Sequence, residues 1–167
     1  MALCIIIALP VGCRVSLGKM KNNLEDEFRT GEDGHSIQSD LDIICSNSSS
    51  ILSVAGRFCD SDDSLYSEAK KDYEAMLTAS TVGEKSIALG ALSNSIETLY
   101  REIKENTELS ETDLRLIKQC EGEIQSRCMT IKSEGYNDDA AAFNRKRGTF
   151  PANIIAPLVG IDEAELF

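Results

Sequence analysis

The chain has 167 residues, 42% of them hydrophobic and 5% aromatic, with no Trp and only 3 Pro. That length allows one domain with a real core, and so few aromatics and prolines argue against a β-sandwich and for a helical bundle. A formal net charge of −11 repels phosphate backbones and argues against a nucleic-acid binder.

The 6 cysteines form no Cys-x-x-Cys and no Cys/His pair at zinc-finger spacing, which disfavours a structural zinc. Cys120 and Cys128 fall on one expected helix, ~12 Å apart along its axis and too far for a disulfide. The plain expectation is reduced, buried thiols in a cytoplasmic domain.

Residues 1–13 read MALCIIIALPVGC, an apolar run followed by Arg14, Lys19 and Lys21 with no basic residue before it. A cleaved signal peptide wants the opposite order. The positive-inside rule then puts the N-terminus outside and the rest in the cytoplasm. Thirteen helical residues cover only ~20 Å of a ~30 Å hydrocarbon core. Three readings follow: a marginal or truncated single-pass anchor over 1–17, a buried core segment, or a lipoprotein signal ending at Cys13. The anchor is the reading carried forward.

A short amphipathic helix is expected over 19–28, with Met20, Leu24 and Phe28 on one face, broken at 31–34. Ser36 suits an N-cap for the next helix. That helix is expected to be the longest. Its seam runs Ile37, Leu41, Ile44, Ser48, Ile51, Ala55, Phe58, then Leu65, Ala69, Tyr73 and Met76, with possible kinks at 46–50 and 60–63. After a turn at 80–83, a third helix carries Leu89, Leu92, Ile96, Leu99 and Ile103. The fourth starts at a capping box of Ser110 and Asp113, with Leu109 and Leu114 as hydrophobic staple. Its seam continues through Ile117, Ile124, Cys128 and Ile131, slips phase near Gly135 as at a stutter, and stops at Pro151. The apolar tail 150–161 must pack on the bundle, lie at an interface or bind a partner.

Aromatic steps recur every seven residues at Tyr136-Asn137, Phe143-Asn144 and Phe150-Pro151. Asn153, Ile154, Ile155, Ala156, Leu158 and Gly160 follow. This pattern resembles the signature of the LemA family, and residues 85–135 fit that family more loosely. The resemblance implies an N-terminal membrane segment, an elongated antiparallel bundle in the cytoplasm and no catalytic residues. Physically, aromatics seven apart share a helix face. Each following Asn sits at the edge of that face, where its amide can bond a neighbouring helix or cap a terminus. A buried aromatic seam with a folded-back tail is the structural expectation, and a groove for a partner helix is the functional one.

No catalytic, cofactor or metal residues are expected. His35 is the sole histidine and reads as an exposed loop side chain. Glu-x-x-His pairs of di-iron bundles are absent. A calcium-loop likeness at Asp60, Asp62 and Ser64 fails, with Leu65 where Gly is needed and Lys71 where Glu is needed. No phosphate-binding glycine loop exists.

The expected protein is therefore all-α: an elongated antiparallel three- to four-helix bundle over 18–167, behind an apolar anchor segment over 1–17. Its expected role is a non-catalytic, membrane-tethered scaffold at the inner face of a bacterial membrane. A secreted or lipid-anchored envelope protein is the alternative. Membrane lipid and an unidentified protein are the expected partners, with no nucleic acid and no small-molecule substrate. In this arrangement Arg14, Lys19, Lys21, Arg145, Lys146 and Arg147 lie near the inner leaflet, where anionic lipid attracts each by about 1 kcal/mol.

Overall fold

The computed structural model describes residues 2–31, 35–59 and 63–167, with side chains from residue 11 onward. The expected breaks at 32–34 and 60–62, and with them the calcium-loop likeness at Asp60 and Asp62, lie outside the described residues. All regular elements among the described residues are helices. They gather into two compact units, one of residues 37–133 and one of residues 1–36 with 134–167.

The 37–133 unit is a four-helix arrangement of α2 (Ile37–Ala55), α3 (Ser64–Thr78), α4 (Val82–Ile103) and α5 (Glu111–Ser133). Helix α2 packs mainly on α5, and α3 mainly on α4. The seam expected as one helix from Ile37 to Met76 is divided. Helix α2 ends at Ala55, and Asp63 caps α3 by accepting from the amides of Leu65 and Tyr66 at 2.9 and 3.1 Å. The serine-rich stretch does not interrupt α2. Asn47 Nδ2 and Ser50 Oγ donate to the carbonyls of Ile43 and Ser46, one turn earlier.

Ile44, Ile51, Leu92, Ile96, Leu99 and Ile117 form the centre of this core and are essentially fully buried. Two polar groups share it. Ser48 Oγ is buried among the α2 seam positions and has no hydrogen-bond partner. Asp40, in the first turn of α2, is buried and meets Arg127 of α5 at 3.0 Å. Arg127 also holds Glu123 at 2.8 Å.

Side-chain caps mark the starts of α3, α4 and α5. Thr81 and Glu84 make a reciprocal capping box at α4. The amides of Ser80 and Thr81 and the Ser80 hydroxyl donate to Glu84 and hold its carboxyl below the usual range. A lowered folded-state pKa supplies stability above the unfolded value, and that stability is lost as pH falls through the folded one. We therefore expect the Ser80 and Thr81 amides to lose exchange protection selectively on acidification below the ordinary carboxylate range. Glu84→Gln should remove that pH dependence; an unchanged acid profile in the variant would refute the cause given. At α5, Ser110 Oγ accepts from the Asp113 amide at 3.1 Å and donates to its carboxylate at 2.8 Å. Asp113 also pairs with Arg57 at 2.7 Å, and the Arg57 and Ser110 hydrogen bonds hold its carboxyl down. The expected staple differs: Leu114 is 40% exposed.

The second unit is built from α1 (Ala2–Arg29), α6 (Tyr136–Arg147) and α7 (Ala152–Leu158), with α6 and α7 both packed on α1. The short helix expected over 19–28 is the last part of α1. Its buried face is Leu17, Leu24 and Phe28, while Met20 is only half-buried. Helix α1 ends at Arg29, and Gly31 turns the chain after it, with a φ of +59° and a closeness to the His35 carbonyl that exclude any side chain. The Ser36 hydroxyl donates to the Arg29 carbonyl at 3.0 Å.

The phase slip near Gly135 is a helix break rather than a stutter, since α5 ends at Ser133 and α6 starts at Tyr136. Pro151 does not stop α6 either. That helix ends at Arg147 with Gly148 as its cap, and Pro151, after a cis peptide bond, precedes α7. Among the described residues no helix is long and apolar enough to cross a membrane. The span expected over 1–17 is therefore not shown.

Candidate functional site

The signature positions all fall on α6, α7 and the turns beside them. Tyr136, Ala140 and Phe143 face inward on α6, and the Tyr136 ring meets Phe28 edge-on at 5.5 Å. Burial, and then the carboxylates of Glu165, Glu27 and Glu25, push the Tyr136 phenol above its ordinary value. It remains a neutral donor, and its hydroxyl donates to the Glu165 carbonyl at 3.1 Å.

The two signature asparagines bond neither a neighbouring helix nor a helix end. Both grip residues 161–167, which carry no regular secondary structure and run back along α6. Asn144 Nδ2 donates to the Ala164 carbonyl and the Ala164 amide donates to Asn144 Oδ1, each at 2.8 Å. Asn137 and Phe167 make the same reciprocal pair at 2.7 Å. Arg147 Nε donates to the Ile161 carbonyl at 2.8 Å, and its Nη1 meets Glu163 at 3.0 Å. The Phe167 ring closes the row against Phe28 at 5.8 Å.

The basic residues expected near a membrane divide by their contacts. Arg14, Lys19, Arg145 and Lys146 are exposed and Lys21 half-exposed, but Arg147 is committed to the tail. Residues 162–167 lie beyond the apolar tail expected over 150–161.

The other signature residues, on α7 and just before it, divide between buried and exposed. Ala152, Ile155 and Ala156 are buried, while Phe150, Ile154 and Leu158 are 80%, 57% and 81% exposed. Asn153 is exposed and Pro151 half-buried. Gly160, at a φ of +71°, turns the chain from α7 into the tail. On α1, Val11 and Val15 are also exposed, and Cys13 lies half-buried inside the helix.

His35 is exposed and borders an open cleft of about 890 Å³ in this unit, beside Asp26, Glu27, Glu134 and Asp139. Among the described residues no cluster of His, Cys, Asp or Glu is arranged to hold a metal ion. Burial, reinforced for Cys45 by Asp42, pushes the Cys45 and Cys120 thiols up and away from the reactive thiolate.

The class these features define is an all-helical bundle protein with an exposed apolar helix face and a side-chain ladder that holds extended backbone. Compared with family models, curated proteins and solved structures, the chain matches none.

Proposed function

We propose that the chain is a LemA-like, non-catalytic helical scaffold that works at the cytoplasmic surface of a membrane and presents its bundle to a protein partner. The observation that carries this reading is the exposed apolar group of Phe150, just before α7, and Ile154 and Leu158 on it, directly after the basic end of α6 at Arg145 and Lys146. Apolar side chains flanked by exposed cations suit the boundary between headgroups and acyl chains. The apolar start of α1 belongs to the same unit. An interfacial helix needs no ~30 Å apolar length, so in this proposal residues 1–17 enter the surface instead of crossing it.

Burying one large apolar side chain is worth roughly 1.5–3 kcal/mol, and 1.4 kcal/mol is about tenfold in affinity. The variant Phe150→Ser/Ile154→Ser/Leu158→Ser is therefore expected to lose at least about tenfold in binding to phosphatidylglycerol vesicles. Arg145→Glu/Lys146→Glu should weaken binding to those vesicles and leave phosphatidylcholine binding unchanged. Equal partitioning of the triple serine variant and the unaltered protein would remove α7 from the membrane contact.

A further inference from the structure

The turn between α6 and α7 carries an exposed hydroxyl in the middle of the proposed membrane contact. Residues 148–150 are all exposed, and Thr149 stands between the basic end of α6 and the apolar Phe150. Its Oγ1 donates to the Lys146 carbonyl at 2.8 Å, and its amide donates to the same carbonyl at 3.3 Å. The chain is therefore still coiled here, which puts Thr149 one turn beyond Arg145 and Lys146 and on their side of the helix. Arg147 is turned to Glu163, but Arg145 and Lys146 are exposed and, among the described residues, stand in no ion pair.

We propose, resting on the membrane-surface reading above, that Thr149 is a phosphorylation site and that its phosphate releases the chain from anionic membrane. The phosphoryl donor is a nucleoside triphosphate. Thr149 Oγ1 bonds the γ-phosphorus as the bond to the β-phosphate oxygen breaks, the hydroxyl proton passes to a base on the enzyme, and the nucleoside diphosphate departs. The enzyme is a protein kinase with an acidic substrate groove, because residues 145–147 set three cations just before the acceptor. The phosphate carries about −1.5 to −2 charges and three acceptor oxygens. It takes the place of the proton that bonds the Lys146 carbonyl, and the carbonyl end of α6 repels it. It turns outward to the Arg145 guanidinium and the Lys146 ammonium and pairs with them. The two cations that draw the patch to anionic lipid are then neutralised, and the surface beside Phe150 becomes acidic. Hydrolysis of the ester restores the hydroxyl and its bond to Lys146, so the switch runs both ways.

The test compares the full chain with the same chain carrying phosphothreonine installed at position 149 during synthesis. Phosphatidylglycerol vesicles should bind the phosphorylated chain at least about tenfold more weakly, and phosphatidylcholine vesicles should bind both chains alike. Thr149→Val keeps the branched shape and loses the hydroxyl, and it should bind both vesicles as the unaltered chain does. A loss in Thr149→Val as large as that of the phosphorylated chain would assign the effect to the Lys146 hydrogen bond and refute a switch by charge. Undiminished binding of the phosphorylated chain overturns the switch alone. An unphosphorylated chain that binds neither vesicle overturns the membrane reading and the switch with it. Mass spectrometry of the chain isolated from its own cells decides whether the modification is made. Phosphate should be found on Thr149 and be enriched in the minor pool that stays off the membrane, and its absence from both pools removes the site.

Discussion

Phe143→Ala is expected to destabilise the protein by about 3–5 kcal/mol, the range for removing a fully buried aromatic ring. Phe143 has no exposed surface and lies on the inward face of α6, in the unit where α6 and α7 pack on α1. Among the described residues, the large buried side chains of that unit are Leu17, Leu24 and Phe28 from α1, Tyr136 and Phe143 from α6, Ile155 from α7 and Ile161 beyond it. The ring is one of the two fully buried large side chains among the described residues of that unit, with Leu17, and its removal leaves a cavity on the inward face of α6. Chemical denaturation should report the loss, and amide exchange should place it first in α1, α6 and α7. A loss below about 1 kcal/mol would mean that the site collapses around the cavity and that Phe143 does not organise the unit.

Arg127→Met is expected to cost about 3 kcal/mol or more by stranding the Asp40 carboxylate. The Asp40 side chain is only 4% exposed, and its ion pair is with Arg127 at 3.0 Å. Arg127 itself reaches solvent and keeps a second partner in Glu123, so the penalty falls on the aspartate left behind. The α2 N-terminus favours a negative charge at Asp40, but it cannot replace the guanidinium hydrogen bond. The cause can be separated from general damage. The double variant Asp40→Leu/Arg127→Met removes both charges at similar volume and should regain most of the stability, because a packed apolar pair is no worse than a buried ion pair. If the double variant is as unstable as Arg127→Met alone, the loss is one of packing and not of an unpaired charge.

Much of the helical pattern was legible in the sequence because burial follows the three-four step. All five seam residues expected on α4, from Leu89 to Ile103, are buried. The capping residue Ser110 marks the start of α5. The division of the Ile37–Met76 seam was hidden, because Ala69 and Met76 of α3 extend the apolar spacing of α2 across the gap. Periodicity alone does not separate one long helix from two in sequence. The better signal was Asp63 before Ser64, an N-cap pair inside the seam. Leu114 fits the staple by spacing, yet staple burial needs a neighbour that spacing does not supply.

The site was legible only in part. Asn137 and Asn144 stand out in the primary structure, but their partners lie 30 and 20 residues away. Nothing local tells an amide that grips a returning tail from one that caps a helix. Arg147 shows the same limit. It joins Arg145 and Lys146 in a basic run, yet its charge is turned to Glu163 and its Nε to a carbonyl. The apolar stretch 150–161 was visible, while its division into a buried and an exposed face depends on where α1 lies.

The most direct test of the membrane-surface account is fractionation of cells expressing the full chain, followed by a carbonate wash of the membrane pellet. The account predicts a protein that sediments with membranes at moderate salt and is released by carbonate, as an interfacial helix and a basic apolar patch require. Recovery in the soluble fraction, or retention through the wash as for a spanning segment, would contradict it.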